Sequence, residues 1–187
     1  AEVPAVTVDG IFGDATESSV SVIQSLLGLP TTGAIGPLTW EGMADLAETV
    51  LVGSQSARGQ YPGYPVGEAA TLLYTDAQKC SHIFDLQTFL RRIQQAEGSA
   101  APLVPDGIWD AKTAAAVREY QQQNCLPVTG IADQRTWNAI YATYAALVAA
   151  DALPMQTAFF PPESDAVLKP GAKSPTVYVL QLMLGET

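Results

Sequence analysis

The sequence predicts an all-α protein of two small three-helix bundles, one of which draws its helices from both ends of the chain. Three observations carry this prediction. Residues 9–43 repeat at 106–140 without a gap, at an offset of 97, with 12 of 35 positions identical. A shorter stretch, 174–187, matches 80–93 at an offset of 94. Between turn signals, apolar residues recur at spacings of three and four, the period of a helix that buries one face.

The elements follow in chain order. Residues 1–8 make a leading strand or loop, and Asp9-Gly10 a turn, because Gly tolerates positive φ and Asp bonds its own backbone. A helix runs from about Ala15, with Val20, Ile23 and Leu27 on one stripe and Gly28 where a C-cap is wanted. After the turn Leu29-Pro30 to Gly33, Pro37 opens a helix that carries Trp40, Met43, Ala47 and Val50 or Leu51 on one face. Residues 53–67, GSQSARGQYPGYPVG, read as a linker, with Tyr61 and Tyr64 packing against the adjoining helices.

A strong helix is predicted over 82–97, with Ile83, Leu86, Leu90 and Ile93 in register and Phe89 beside them. A second spans about 111–124 and buries Val117 and Tyr120. Asp133 is the N-cap of a third, striped by Trp137, Ile140, Tyr141, Tyr144, Leu147 and Val148. Past Pro154 comes another loop, and Ser174-Pro175 then starts a final helix in which Val177, Leu180, Gln181 and Leu184 fall on Ile83, Leu86, Gln87 and Leu90.

The chain therefore divides into helices two and three of a split repeat (1–52), a linker (53–67), an intact repeat (68–153), and a linker plus helix one of the split repeat (154–187). Joined end to end, the split halves would set Leu180 and Asp9 16 residues apart, against 20 from Leu86 to Asp106, so the halves complement each other. They can meet in one molecule or by domain-swapped self-association between neighbours. Either way, each covers an apolar stripe that would otherwise face water.

Composition narrows the chemistry. A formal charge of −10 argues against phosphate contacts with nucleic acid and against docking on anionic lipid. No run approaches the ~18 apolar residues of a membrane helix, so no membrane insertion is expected. One His and two Cys form no HExxH, CxxC or Cys/His cluster, and no GxSxG, Walker-type or GxGxxG loop is present, so no metal or cofactor is expected. The opening AEVPAVTVDG lacks Met, a basic n-region and an apolar h-region, and reads as a mature or engineered start.

Taken together, these residues resemble the three-helix peptidoglycan-binding domain of bacterial wall hydrolases and spore-cortex-lytic proteins, in tandem copies. The resemblance rests on Asp9-Gly10-Ile11-Phe12-Gly13 and Asp106-Gly107-Ile108-Trp109 in the loop, and on Ile23-Gln24 and Tyr120-Gln121 on the second helix. The turns Leu29-Pro30-Thr31-Thr32-Gly33 and Leu126-Pro127-Val128-Thr129-Gly130, the pairs Thr39-Trp40 and Thr136-Trp137, and Leu86-Gln87 with Leu180-Gln181 complete it. Asp110 stands where that family has a loop Gly, and Cys125 where it has a turn Gly. The resemblance implies non-catalytic anchoring of a larger protein, with the glycan strand or stem peptide of peptidoglycan as partner. It implies an extracellular location, in the cell wall or spore envelope.

Six residues are candidates for ligand contact. Phe12 and Trp109 lie in the loop, where aromatic rings serve wet interfaces, with folding onto the core as the alternative. Arg91 and Arg92 match carboxylates bidentately, against a solvated helix face. Tyr120 and Gln121 form the signature aromatic–Gln pair, while Trp40 and Trp137, on apolar stripes, read as core. His82 reads as a surface or capping residue. Cys80 and Cys125 sit at helix ends that antiparallel packing would bring together, as a disulfide or as two free thiols. Two other functions are kept open: an assembly module joined through complementary half-repeats, and a glycosidase using carboxylates such as Asp106 and Glu119.

Overall fold

The computed structural model describes residues 3–53, 81–150, 152 and 167–186. Six helices follow in order: α1 (Asp14–Leu26), α2 (Pro37–Gly53), α3 (Ser81–Ala96), α4 (Ala111–Gln123), α5 (Gln134–Ala149) and α6 (Pro175–Glu186). No strand occurs among the described residues, and residues 3–8 are loop rather than strand. The chain divides into two compact units, one of residues 1–53 with 157–187 and one of residues 54–156. Apart from Gly53, which ends α2, the linker read at 53–67, with Tyr61 and Tyr64, lies outside the described residues. Cys80 does too.

In the first unit α6 packs on α1 and α2, so the tail completes the opening helix pair within one chain. An extended arm leads into it. Ile35 exchanges backbone hydrogen bonds of 2.8 and 3.0 Å with Leu168, and the Phe12 N–H donates to Ala172 O at 2.8 Å. The Gly171 N–H returns a bond to Phe12 O at 2.8 Å, and the Ser174 N–H donates to Gly10 O at 3.2 Å. Ser174 then caps α6, its Oγ accepting the Val177 N–H at 3.3 Å. At the other end of the chain, Ser19 Oγ donates to Pro4 O at 2.7 Å and ties the leading loop to α1.

The core holds most of the predicted stripes: Val20, Ile23, Trp40, Met43 and Ala47 in the first unit, and Val117, Trp137, Ile140 and Tyr144 in the second, while Leu27, Leu147 and Val148 are only half-buried. Each large apolar side chain so buried contributes roughly 1.5–3 kcal/mol. Phe89 stacks obliquely on Tyr144 and Tyr141, with ring centroids 4.7 and 5.6 Å apart. On α2 Val50 is exposed, and the side chain of Leu51, the alternative at the end of the stripe, lies outside the described residues.

Helix one departs further from the amphipathic expectation. Every residue from Ile83 to Ile93 is buried, Asp85 and Thr88 included, and Val177 to Leu184 of α6 are buried apart from half-exposed Tyr178. This helix is the central rod of each unit rather than one wall of it.

The helix ends explain the turn residues. α1 closes in a Schellman motif: the Leu29 N–H reaches Gln24 O at 2.8 Å and the Gly28 N–H reaches Ser25 O at 3.2 Å, with Gly28 at φ 68. α4 closes the same way through Leu126 to Gln121 O, at 2.8 Å, but the left-handed position is Cys125 at φ 55. Asp110 and Asp133 cap α4 and α5, accepting the Thr113 and Thr136 N–H groups at 2.8 Å each. At the position of Asp110, Gly13 starts α1 with no side-chain cap.

Candidate functional site

Each unit presents two loops, and in both units a buried glutamine holds each loop. Gln87 is 1% exposed on the central helix α3. Its Oε1 accepts the Asp106 and Gly107 N–H groups at 2.9 and 2.8 Å. Its Nε2 donates to Asp106 Oδ1, Ile108 O and Thr113 Oγ1 at 2.9, 3.0 and 2.9 Å.

Gln181 repeats the arrangement across the chain's two ends. Its Oε1 accepts from Asp9 N and Gly10 N at 3.0 and 2.7 Å. Its Nε2 donates to Asp9 Oδ1, Ile11 O and Thr16 Oγ1 at 3.0, 3.0 and 3.4 Å. Both glutamines meet the loop because Gly10 and Gly107 turn the backbone at φ 76 and 70, which presents two consecutive N–H groups to one oxygen.

The second loop is held from the second helix. Gln121 Oε1 accepts the Thr129 and Gly130 N–H groups at 3.0 and 2.8 Å, and its Nε2 donates to Ile131 O and Thr136 Oγ1 at 3.0 and 3.1 Å. Gln24 does the same with Gly33 N, Ala34 O and Thr39 Oγ1 at 3.0, 2.8 and 3.3 Å. The aromatic–Gln and Leu–Gln pairs of the sequence are thus loop clamps, fully engaged inside the fold. The sequence carried a signal for this role: a polar residue in register within an apolar stripe, at matching places in both repeats.

The remaining candidates lie as follows. Phe12 and Trp109 are 1% and 7% exposed, their rings turned onto the core beneath the loop rather than out along its edge. Tyr120 is buried, and its hydroxyl sits 2.6 Å from Thr143 Oγ1. Burial first, and the nearby Glu97 charge after it, raise the Tyr120 phenol above its ordinary 10.0, against the lowering effect of the Thr143 bond.

Arg91 and Arg92 do not form the solvated face of an amphipathic helix; both are 5% exposed. Arg91 Nη1 donates to Leu103 O at 3.1 Å and Arg92 Nη1 to Gln95 Oε1 at 2.8 Å. Burial and the adjacent Arg92 charge lower the Arg91 pKa. Arg stems cover apolar surface well, which lets these two sit against the core while their forks bond. His82 is likewise no plain surface residue: it is half-buried, its Nδ1 makes no hydrogen bond among the described residues, and burial lowers its pKa. Cys125 is an exposed free thiol.

Asp106 is a turn residue by its bonding, since Oδ1 accepts from Gln87 and from the Ile108 N–H at 2.9 Å each. Glu119 stands on the solvent side of α4. No group of three His, Cys, Asp or Glu able to hold a metal occurs among the described residues, and no described helix is long and apolar enough to cross a membrane.

The surface does carry one crevice that the sequence did not reveal, because it forms only where two helices meet. It lies between α3 and α4, a shallow, solvent-open dent with a cavity volume of only about 10 Å³, room for a single water. Leu90, Ile93 and Ala116 floor it, with Gln94, Glu97, Glu119, Tyr120 and Gln123 around them.

No curated protein and no solved structure gives a significant match to this chain. The family model of the peptidoglycan binding domain matches residues 3–43 and 82–140, together just over half of the 187 residues. The first match covers α1 and the start of α2 in the split unit, and the second covers α3, α4 and the first half of α5 in the intact one. Both matches span the glutamine-clamped loops, and on that extent the chain belongs to the peptidoglycan-binding domain family.

Proposed function

We propose that this chain attaches non-catalytically to bacterial cell-wall peptidoglycan, or to the related spore cortex, through two modules acting together. The observation that carries this reading is the family match in both units, on the loops that the buried glutamines clamp. A module of this size with shallow, solvent-open relief makes weak individual contacts. Two modules on one chain raise the effective concentration of the second contact, which turns weak sites into avidity.

In this reading the stretches 1–52 and 154–187 serve one module, 68–153 the other and 53–67 joins them, the whole anchoring a larger protein outside the cytoplasmic membrane, in the wall or spore envelope. Of the six residues singled out from the sequence, Gln121 and Tyr120 hold the loop and helix pair in place. Phe12, Trp109, Arg91 and Arg92 shape the binding surface from beneath it. The glycosidase reading is the weaker one, since Asp106 is tied into its turn by two accepted hydrogen bonds.

Co-sedimentation with purified sacculi tests the proposal. The intact chain pellets with sacculi and leaves their turbidity unchanged; a chain that stays in the supernatant at low salt refutes wall binding. Clearing of the suspension would refute the non-catalytic half of the reading.

A further inference from the structure

We draw no further inference here: the strongest candidate, the apolar strip that Val22 and Leu26 form on α1 of the first unit where the second unit has Glu119 and Gln123, carries nothing, because nothing in the structure shows what covers it.

Discussion

Gln181→Leu is the most informative single perturbation, because it breaks the only side-chain clamp described between the tail and the Asp9 loop while conserving volume. The side chain is 1% exposed and makes five hydrogen bonds to residues 9, 10, 11 and 16. Asp9 and Ile11 are exposed, so water replaces what they lose. The half-buried Gly10 N–H and the Thr16 hydroxyl, 2% exposed, are left without Gln181. A buried polar group that loses its partner costs about 1–3 kcal/mol, so the first unit loses roughly 2–4 kcal/mol. For a unit of this size that lowers the melting midpoint by roughly 10–30 °C.

The chain carries its own reporters, since Trp40 lies in the first unit and Trp109 and Trp137 in the second. Thermal unfolding followed by the three indole N–H signals separates the two units. The Trp40 transition should drop while the other two hold, and Gln87→Leu should give the mirror image. If Gln181→Leu moves the Trp40 midpoint by only a degree or two, or moves all three together, the clamp argument is wrong.

Further outcomes follow from the same structure. Removing residues 175–187 should expose Trp40 and shift its fluorescence to the red while Trp137 stays buried, because α6 supplies the core of the first unit alone. His82, the chain's single histidine, has its pKa lowered by burial from an ordinary 6.5. The unfolded chain then takes up the proton first, so the second unit keeps its full stability above pH 6.5 and loses it as pH falls below that value. His82→Gln should flatten this dependence in denaturant melts at pH 7.5 and 5.5, and the first unit should show none of it. Cys125→Gly should stabilise the second unit by about 1 kcal/mol, since it relieves a non-glycine residue at φ 55 where the first unit already has Gly28. Urea midpoints read at Trp137 check that gain.

Sequence pattern carried most of the architecture. Periodicity and turn chemistry located the helix starts to within a residue, and Asp133, Ser174 and Gly28 as end signals. These are local properties: whether an oxygen can reach an N–H three residues on, or a backbone can turn at positive φ, is settled within one turn of chain. Repeat matching even paired the tail with the opening segment, because 181 and 87 share a register with 9 and 106.

What the sequence could not carry is which side of a residue meets neighbours far along the chain. Phe12 and Trp109 suit either a wet edge or the core, and it was tertiary packing that drew them beneath their loops. Arg91 and Arg92 have the composition of a solvated face, yet their helix is the central rod, surrounded rather than flanked. The crevice of Glu97 and Glu119 exists only because α3 and α4 bring residues more than twenty positions apart onto one surface. The sequence by itself determined the helices, their ends and the complementary halves, since each follows from short-range hydrogen bonding and period. Only the tertiary structure decided which polar groups became internal clamps and which reached solvent, since burial depends on how many elements surround a helix.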